Sequence, residues 1–367
     1  MPHKSHSPAL LLVLCLAPFA HPQNPNPPKP LAHRDSETFN QQQRVLRHIT
    51  LNLSVTDKAG RPITNLTQQD VTLLDNGIPQ NITEFKLIDG AFAQPPDVVL
   101  LVVDTVNSAL TDLTLMRQGI EKYLRQSGSF LYARVSIVLL GNDGANIGEP
   151  SRDTKTLLAE VQKLPATIRS IDSAQGTAGA IDRSQKSIRA LTEIAKYESD
   201  KPGHKLLIWL GPGWPLLNNL DAPTQLNRTR YFASIVDINT KLRQAGITLY
   251  SVVPQNLQRG DTLRQFVYED YLKGVPTAKD ADSPNLGVQV FATQSGGLVM
   301  INSGEIATQI AHCVEDSRAY YQLSFDAPPA AIPNEFHDLQ IKLPRPNLTL
   351  RTTHFFYLQP DAPAPPQ

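Results

Sequence analysis

Cysteine is nearly absent from this chain: 367 residues hold two. One of them, Cys15, lies in an apolar leader, so the mature chain keeps Cys313 alone. That excludes an internal disulfide and a thiolate metal site. A surplus of one charge is missing too. Lys and Arg total 34 and Asp and Glu total 34, which offers no basic field for nucleic acid or an anionic membrane. Beyond the leader no run is long and apolar enough to span a bilayer. Catalytic signatures are also lacking: there is no Gly-x-Ser-x-Gly elbow, no phosphate loop and no His-Glu-x-x-His motif. A hydrolase would therefore rest on no motif. What is present is the composition of a soluble globular protein, with 41% apolar and 19% charged residues.

The ends of the chain read as non-domain segments. Residues 1–20 resemble a secretory signal peptide: Lys4 and its histidines form a polar start, and Ala9 to Ala17 is an apolar core too short to cross a membrane. Cleavage is expected after Ala20, leaving a secreted or periplasmic protein. The alternatives are an uncleaved anchor and lipidation at Cys15, whose place inside the apolar core is a poor context for the latter. Residues 21–44 are a Pro-rich linker and 359–367 a Pro-rich tail.

Between these ends the hydrophobic period changes twice. Residues 45–92 are β in character. Ile49, Leu51, Leu53 and Val55 alternate with polar residues, the period of a half-buried strand, and Asp75-Asn76-Gly77 is a tight hairpin turn. Residues 95–318 alternate strand and helix, which implies a mostly parallel sheet covered on both faces. Strands are expected at Val98–Val103, Ala133–Leu140, His204–Leu210 and Ile247–Val253. Shorter ones are expected at Val288–Ala292 and Leu298–Ile301, around Gly296-Gly297. Helices are expected at 111–126, 153–164, 177–197, 226–244 and 303–316, the last capped by Ser303. Residues 319–358 return to β character, with strands at 320–325, 336–343 and 348–357. The four strands of the first β segment and the three of the second are each marginal alone and together make a sandwich. The expected fold is an open doubly wound α/β domain inserted into a small β-sandwich built from both ends of the chain.

The stretch that organises this pattern is Val98 to Ser108, VVLLVVDTVNS. An unbroken apolar run reads as a strand buried on both faces, and open α/β sheets bind ligands at the carboxyl ends of such strands. Asp104 sits at that end, followed by Thr105, Asn107 and Ser108. Two readings of it stay open: an oxygen-rich site for a hard cation, or a carboxylate that holds its own loop amides. Asn107 and Asp143, on rim loops, are candidate partner-binding residues. Trp214, beyond the strand in a Gly/Pro loop, is read either as an exposed binding anchor or as packed against the β unit.

Several signatures then coincide in order. They are Val55-Thr56-Asp57-Lys58-Ala59-Gly60, Leu66-Thr67-Gln68-Gln69-Asp70-Val71, Asp75-Asn76-Gly77, Asp104-Thr105-Val106-Asn107-Ser108, Pro202 to Pro215, and Tyr320 to Phe325. Together they resemble the acidobacterial VWFA-related proteins, secreted bacterial chains with a von Willebrand factor type A domain. The resemblance implies a metal-ion-dependent adhesion site at the carboxyl edge of the sheet. Its pattern is Asp-x-Ser-x-Ser, a threonine from a second loop and an aspartate after the fourth strand. Asp104 and Ser108 match, and Thr177 is the candidate threonine. Val106 replaces the middle serine, and Gly211-Pro212-Gly213 stands where the aspartate belongs. The implied function is a non-enzymatic binding or adhesion module for a protein partner. Its site would be degenerate, with no cofactor beyond a weakly held Mg²⁺ or other divalent cation. The alternative is a structural or assembly component of the cell envelope.

Overall fold

Alternation along β1 (His48–Thr56) buries Ile49, Leu51, Leu53 and Val55 on one side, as the sequence pattern requires. The computed structural model describes residues 47–89, 98–164, 176–216, 224–254, 267–301 and 305–361. The leader, the linker, Ser303 and most of the Pro-rich tail lie outside the described residues. Asn76 and Gly77, with φ of 50° and 78°, form the hairpin turn between β2 (Thr72–Asp75) and β3 (Ile78–Pro79). Strand β4 (Ile82–Asp89) completes the first β segment.

The central sheet begins with β5 (Val98–Asp104), buried at every position. It continues through β6 (Phe130–Gly141), β7 (Gly144–Ile147), β8 (Ser151–Asp153), β9 (Lys205–Leu210), β10 (Ile247–Val253) and β11 (Val299–Ile301). Its order is β11-β10-β9-β5-β6-β7, with β8 also on β6. Strands β5, β6, β9, β10 and β11 run parallel, and β7 and β8 run antiparallel to β6. The sequence left β7 and β8 unread, because they are short and mixed in polarity. Gly141 to Gly144 is the turn that joins β6 to β7.

Successive β5 side chains enter different cores. Leu100 and Val102 pack with Leu191 and Ile194 of α3 (Thr177–Ser199), Ile235 of α4 (Gln225–Gln244) and Phe291 of α5 (Val288–Gln294). Val99, Leu101 and Val103 pack with Met116 of α1 (Leu110–Gln126), Leu157 of α2 (Thr154–Lys163) and Ile310 of α6 (Ile306–Asp316). Each such side chain contributes about 1.5–3 kcal/mol by leaving water, so the doubly covered sheet follows from one apolar run. Among the described residues no helix is long and apolar enough to cross a membrane.

The second β segment supplies β12 (Ala319–Asp326), β13 (Glu335–Lys342), β14 (Thr349–Arg351) and β15 (Phe355–Leu358). These interleave with the first segment in two antiparallel sheets, β14-β1-β12-β4 and β15-β13-β2-β3. One apolar core joins both sheets, through Leu51, Leu53, Leu73, Tyr321, Leu323, Leu339 and Phe356. The buried His337 Nδ1 meets the Asp75 carboxylate at 2.8 and 3.0 Å, which ties β13 to β2.

Three sequence expectations are corrected. Val288–Ala292 is helix, not strand: it is apolar and buried almost throughout, and a short apolar run carries no period to separate the two. The final helix starts at Ile306 after Glu305, later than Ser303. The stretch 348–357 is two strands in different sheets, because the chain crosses at buried Thr352 and a bridge from Thr353 to Ser295.

Arg351 fixes that crossing. Its guanidinium bonds the Asp316 carboxylate, donates to Ser54 Oγ at 2.8 Å and to Gly296 O at 3.3 Å, and Tyr250 Oη donates to the other Asp316 oxygen at 2.8 Å. The network joins β1, β10, β14 and α6. Arg351→Met keeps the aliphatic stem and strands the Asp316 charge, so it is expected to lower stability by about 3 kcal/mol. Urea unfolding followed by circular dichroism checks this; a loss below about 1 kcal/mol would mean the pair behaves as an exposed one.

Candidate functional site

Strand β5 connects through α1 to β6 on one side, and β9 connects through α4 to β10 on the other. The crevice between their carboxyl ends is therefore the topological switch point, where open α/β sheets take ligands. Asp104 ends β5 there, and Gly211 follows the last residue of β9.

The Asp104 side chain is 0% exposed. Its Oδ1 accepts from Val106 N at 3.1 Å, Asn107 N at 3.0 Å and Asn107 Nδ2 at 3.0 Å. Its Oδ2 accepts from Asn107 Nδ2 at 2.9 Å and from Trp209 Nε1 at 3.1 Å. The backbone contacts are those of an Asx turn, which closes the loop after the strand. Asn107 Nδ2 also reaches Ser187 Oγ on α3, at 2.9 Å. Thr105 Oγ1 donates to Leu140 O on β6 at 2.6 Å. One carboxylate thus couples β5, β9 and α3. Burial pushes its pKa up to about 6, against the opposing pull of the Asn107 side chain and backbone, the Trp209 indole and the Val106 amide.

Gly211 is part of the same enclosure. Its φ is +146°, and a Cβ there would lie 2.8 Å from Asp104 Cβ and 3.3 Å from Ser108 Oγ. Asp104 thus leaves no room for a side chain at Gly211. Ser108 Oγ and Asn107 Oδ1 are buried beside it, each without a hydrogen-bond partner among the described residues.

The other expected site residues are dispersed. Thr177 opens α3 after Gly176 and is exposed. Among the described residues it makes no hydrogen bond to Asp104, Asn107 or Ser108. Asp143 is exposed in the β6–β7 turn. Trp214 is corrected as an anchor: it is 5% exposed and packs edge-on against Trp209, with centroids 5.3 Å apart. It joins the α/β core rather than the β unit. The cause is a fold-back at Gly213, φ +80°, held by Gln289 Nε2 donating to Pro212 O at 3.0 Å. Sequence reasoning missed a partner of Asp104, Trp209, and a partner of Asn107, Ser187. Trp209 read only as core, although a donor-bearing ring one residue from the end of an adjacent strand is the available signal. Ser187, on a remote helix, gives none.

The donor set does not suit a resident divalent cation. Mg²⁺ takes oxygen ligands at about 2.0–2.1 Å in near-octahedral array, whereas both oxygens of Asp104 face N–H groups. Among the described residues no cluster of three or more His, Cys, Asp or Glu side chains could hold a metal ion. Nor is Ser108 placed as a nucleophile, since among the described residues no base bonds its hydroxyl.

Two outcomes follow. Gly211→Ala forces a Cβ into Asp104 at a strained φ, and is expected to lower stability by about 2 kcal/mol or more, read from the denaturant midpoint. An unchanged midpoint would mean the loop yields freely. For Asp104 the folded pKa, about 6, exceeds the unfolded value, 3.8. The folded state therefore holds the proton more tightly. The contribution is full below about pH 4 and is lost as pH rises through about 6, by about 3 kcal/mol in all. Comparing wild type with Asp104→Asn at about pH 4 and about pH 7 isolates this change; a pH-independent difference would contradict the shift.

Comparison with known proteins finds solved structures only. No family model matches the chain, and no curated protein does. The chain is similar to the von Willebrand factor type A protein from Catenulispora acidiphila, with 10% identity, 80% of this chain and 74% of that one covered, and a TM-score of 0.34. It is similar to BatB from Bacteroides thetaiotaomicron at 11% identity, covering 60% and 95%, with a TM-score of 0.31. The vWF domain of the type V pili tip protein Mfa5 from Porphyromonas gingivalis gives 14%, 40%, 51% and 0.23 in the same order. At these scores the likenesses carry no functional argument, and the fold rests on the strand order and cores described above.

Proposed function

We propose that the chain is a secreted, non-enzymatic binding module that meets a protein partner at the carboxyl edge of the central sheet, without a metal ion. The observation that carries this reading is the buried, fully hydrogen-bonded Asp104 carboxylate at the switch point. It holds the rim loops in one arrangement and leaves no lone pair facing outward for a cation. Ser108, which matches the family pattern, and Asn107, which does not, both serve the inside of the loop in this reading. The surface offered to a partner is formed by Ala109, Leu110, Asp143, Thr177 and Ala178, all exposed. Only Asp143 among them is charged, which suits a protein surface better than a polyanion. Secretion follows from the leader read in residues 1–20.

Thermal melts with millimolar Mg²⁺, Mn²⁺, Ca²⁺ or chelator separate this from a working adhesion site. A ligand that binds only the folded state must raise the melting temperature, and no cation-specific rise is expected here. A rise that Asp104→Ala abolishes would overturn the metal-free reading. The rim itself is tested by capture from the envelope and secreted fractions, with wild type beside Asp143→Arg/Thr177→Arg. A partner retained by the wild type and lost with the variant supports the rim; equal retention, or none by either, removes it.

A further inference from the structure

The sandwich sheet β14-β1-β12-β4 ends on β4, and among the described residues no strand pairs with its outer edge. From Glu84 to Asp89 the strand is in regular register with β12, from Glu84 opposite Ser324 to Asp89 opposite Ala319. The irregularity in that pairing lies at Thr83, before this straight stretch. An edge of this length presents a row of backbone donors and acceptors to any strand that can match it.

The side chains state which strand that is. Phe85 and Leu87 turn inward and pack on the sandwich core. Glu84 and Lys86 turn to the outer face, are exposed, and make no ion pair or hydrogen bond among the described residues. They flank Phe85 symmetrically. Laid antiparallel on a second copy with Phe85 opposite Phe85, Glu84 stands opposite Lys86 of the partner subunit, and Lys86 opposite Glu84 of the partner subunit. Residues directly opposite in an antiparallel pair have Cβ atoms roughly 5 Å apart, so both charge pairs close at once. The neighbouring registers fail. Centring on Glu84 or on Lys86 sets like charges face to face, and centring on Leu87 sets Lys86 against Ile88.

We propose that β4 pairs with β4 of a second copy about a two-fold axis through Phe85, joining two sandwich sheets into one eight-stranded sheet. The contact is isologous, so it closes at two copies and does not propagate. The edge that would otherwise recruit strands without limit is thereby consumed. This proposal is independent of the rim, which lies on the central sheet.

Charge exchange tests the register. The protein purified from an exporting host is examined by sedimentation velocity at low salt over a range of micromolar concentrations. Wild type is expected to be in monomer–dimer equilibrium. Glu84→Lys alone and Lys86→Glu alone each place like charges in both symmetric pairs, and each is expected to raise the dissociation constant about tenfold. The double exchange Glu84→Lys/Lys86→Glu restores opposite charges and is expected to recover the wild-type constant. Circular dichroism confirms that these exposed substitutions leave the fold intact. The proposal is overturned by a wild-type monomer at every concentration, by single exchanges that change nothing, or by a double exchange no better than the singles. A strand from a different protein bound at β4 while the wild type stays monomeric would also overturn it.

Discussion

A carboxylate sealed away from water at the end of a strand is the constraint on which the ligand edge of this protein depends. A buried charge without partners is prohibitive, and one with partners holds them in place. Asp104 is met by two backbone amides, one carboxamide and one indole. Each is contributed by a segment that would otherwise be free to choose its own path. The Val106 amide bends the loop so that the Val106 side chain enters the core, where it cannot ligate anything. Asn107 spans from the carboxylate to α3, and Trp209 keeps β9 in line with β5. Gly211 is then obligatory, since the enclosure leaves no space for a Cβ. The inward Val106 side chain and the bare Gly211 are thus features of one enclosed anion.

The sandwich obeys a different logic. Strand β12, from the second β segment, sits between β1 and β4 of the first, with residues such as His48 and Asp326 opposite each other although 278 positions apart. Neither segment can finish its sheet until the chain between them has brought them together. Closing so long a loop costs entropy before any contact rewards it, so β12 is expected to join late in folding. Arg351 and Asp316 sit where the two architectures meet, and their network passes from a sandwich strand to a helix of the central sheet.

Much of this was legible in the sequence. The apolar run of β5, the alternation of β1 and the Asn76-Gly77 turn are local signals with a single physical reading each. Val288–Gln294 was not legible, because burial on all sides erases the period that distinguishes helix from strand. The split of 348–357 was hidden for a related reason: both pieces are β in character, and only tertiary pairing shows that they belong to different sheets. At the site, Asp104 and Ser108 could be located from their motif. What Asp104 does could not be, since it depends on Trp209 and Ser187. Trp209 is 105 residues from Asp104, and Ser187 is 80 residues from Asn107. Trp214 misled because a Gly/Pro loop ordinarily stays at the surface, whereas Gly213 turns this one back into the core.

The chain contains two tryptophans, and both stand at this one place: Trp209 with its indole N–H on the Asp104 carboxylate, Trp214 edge-on against it. The protein's tryptophan fluorescence, excited selectively over its tyrosines, is therefore a local signal, blind to the sandwich. An emission spectrum taken during unfolding follows the carboxyl edge of the central sheet, while far-ultraviolet dichroism follows the whole chain. The molecule carries its own label at the site most in need of one.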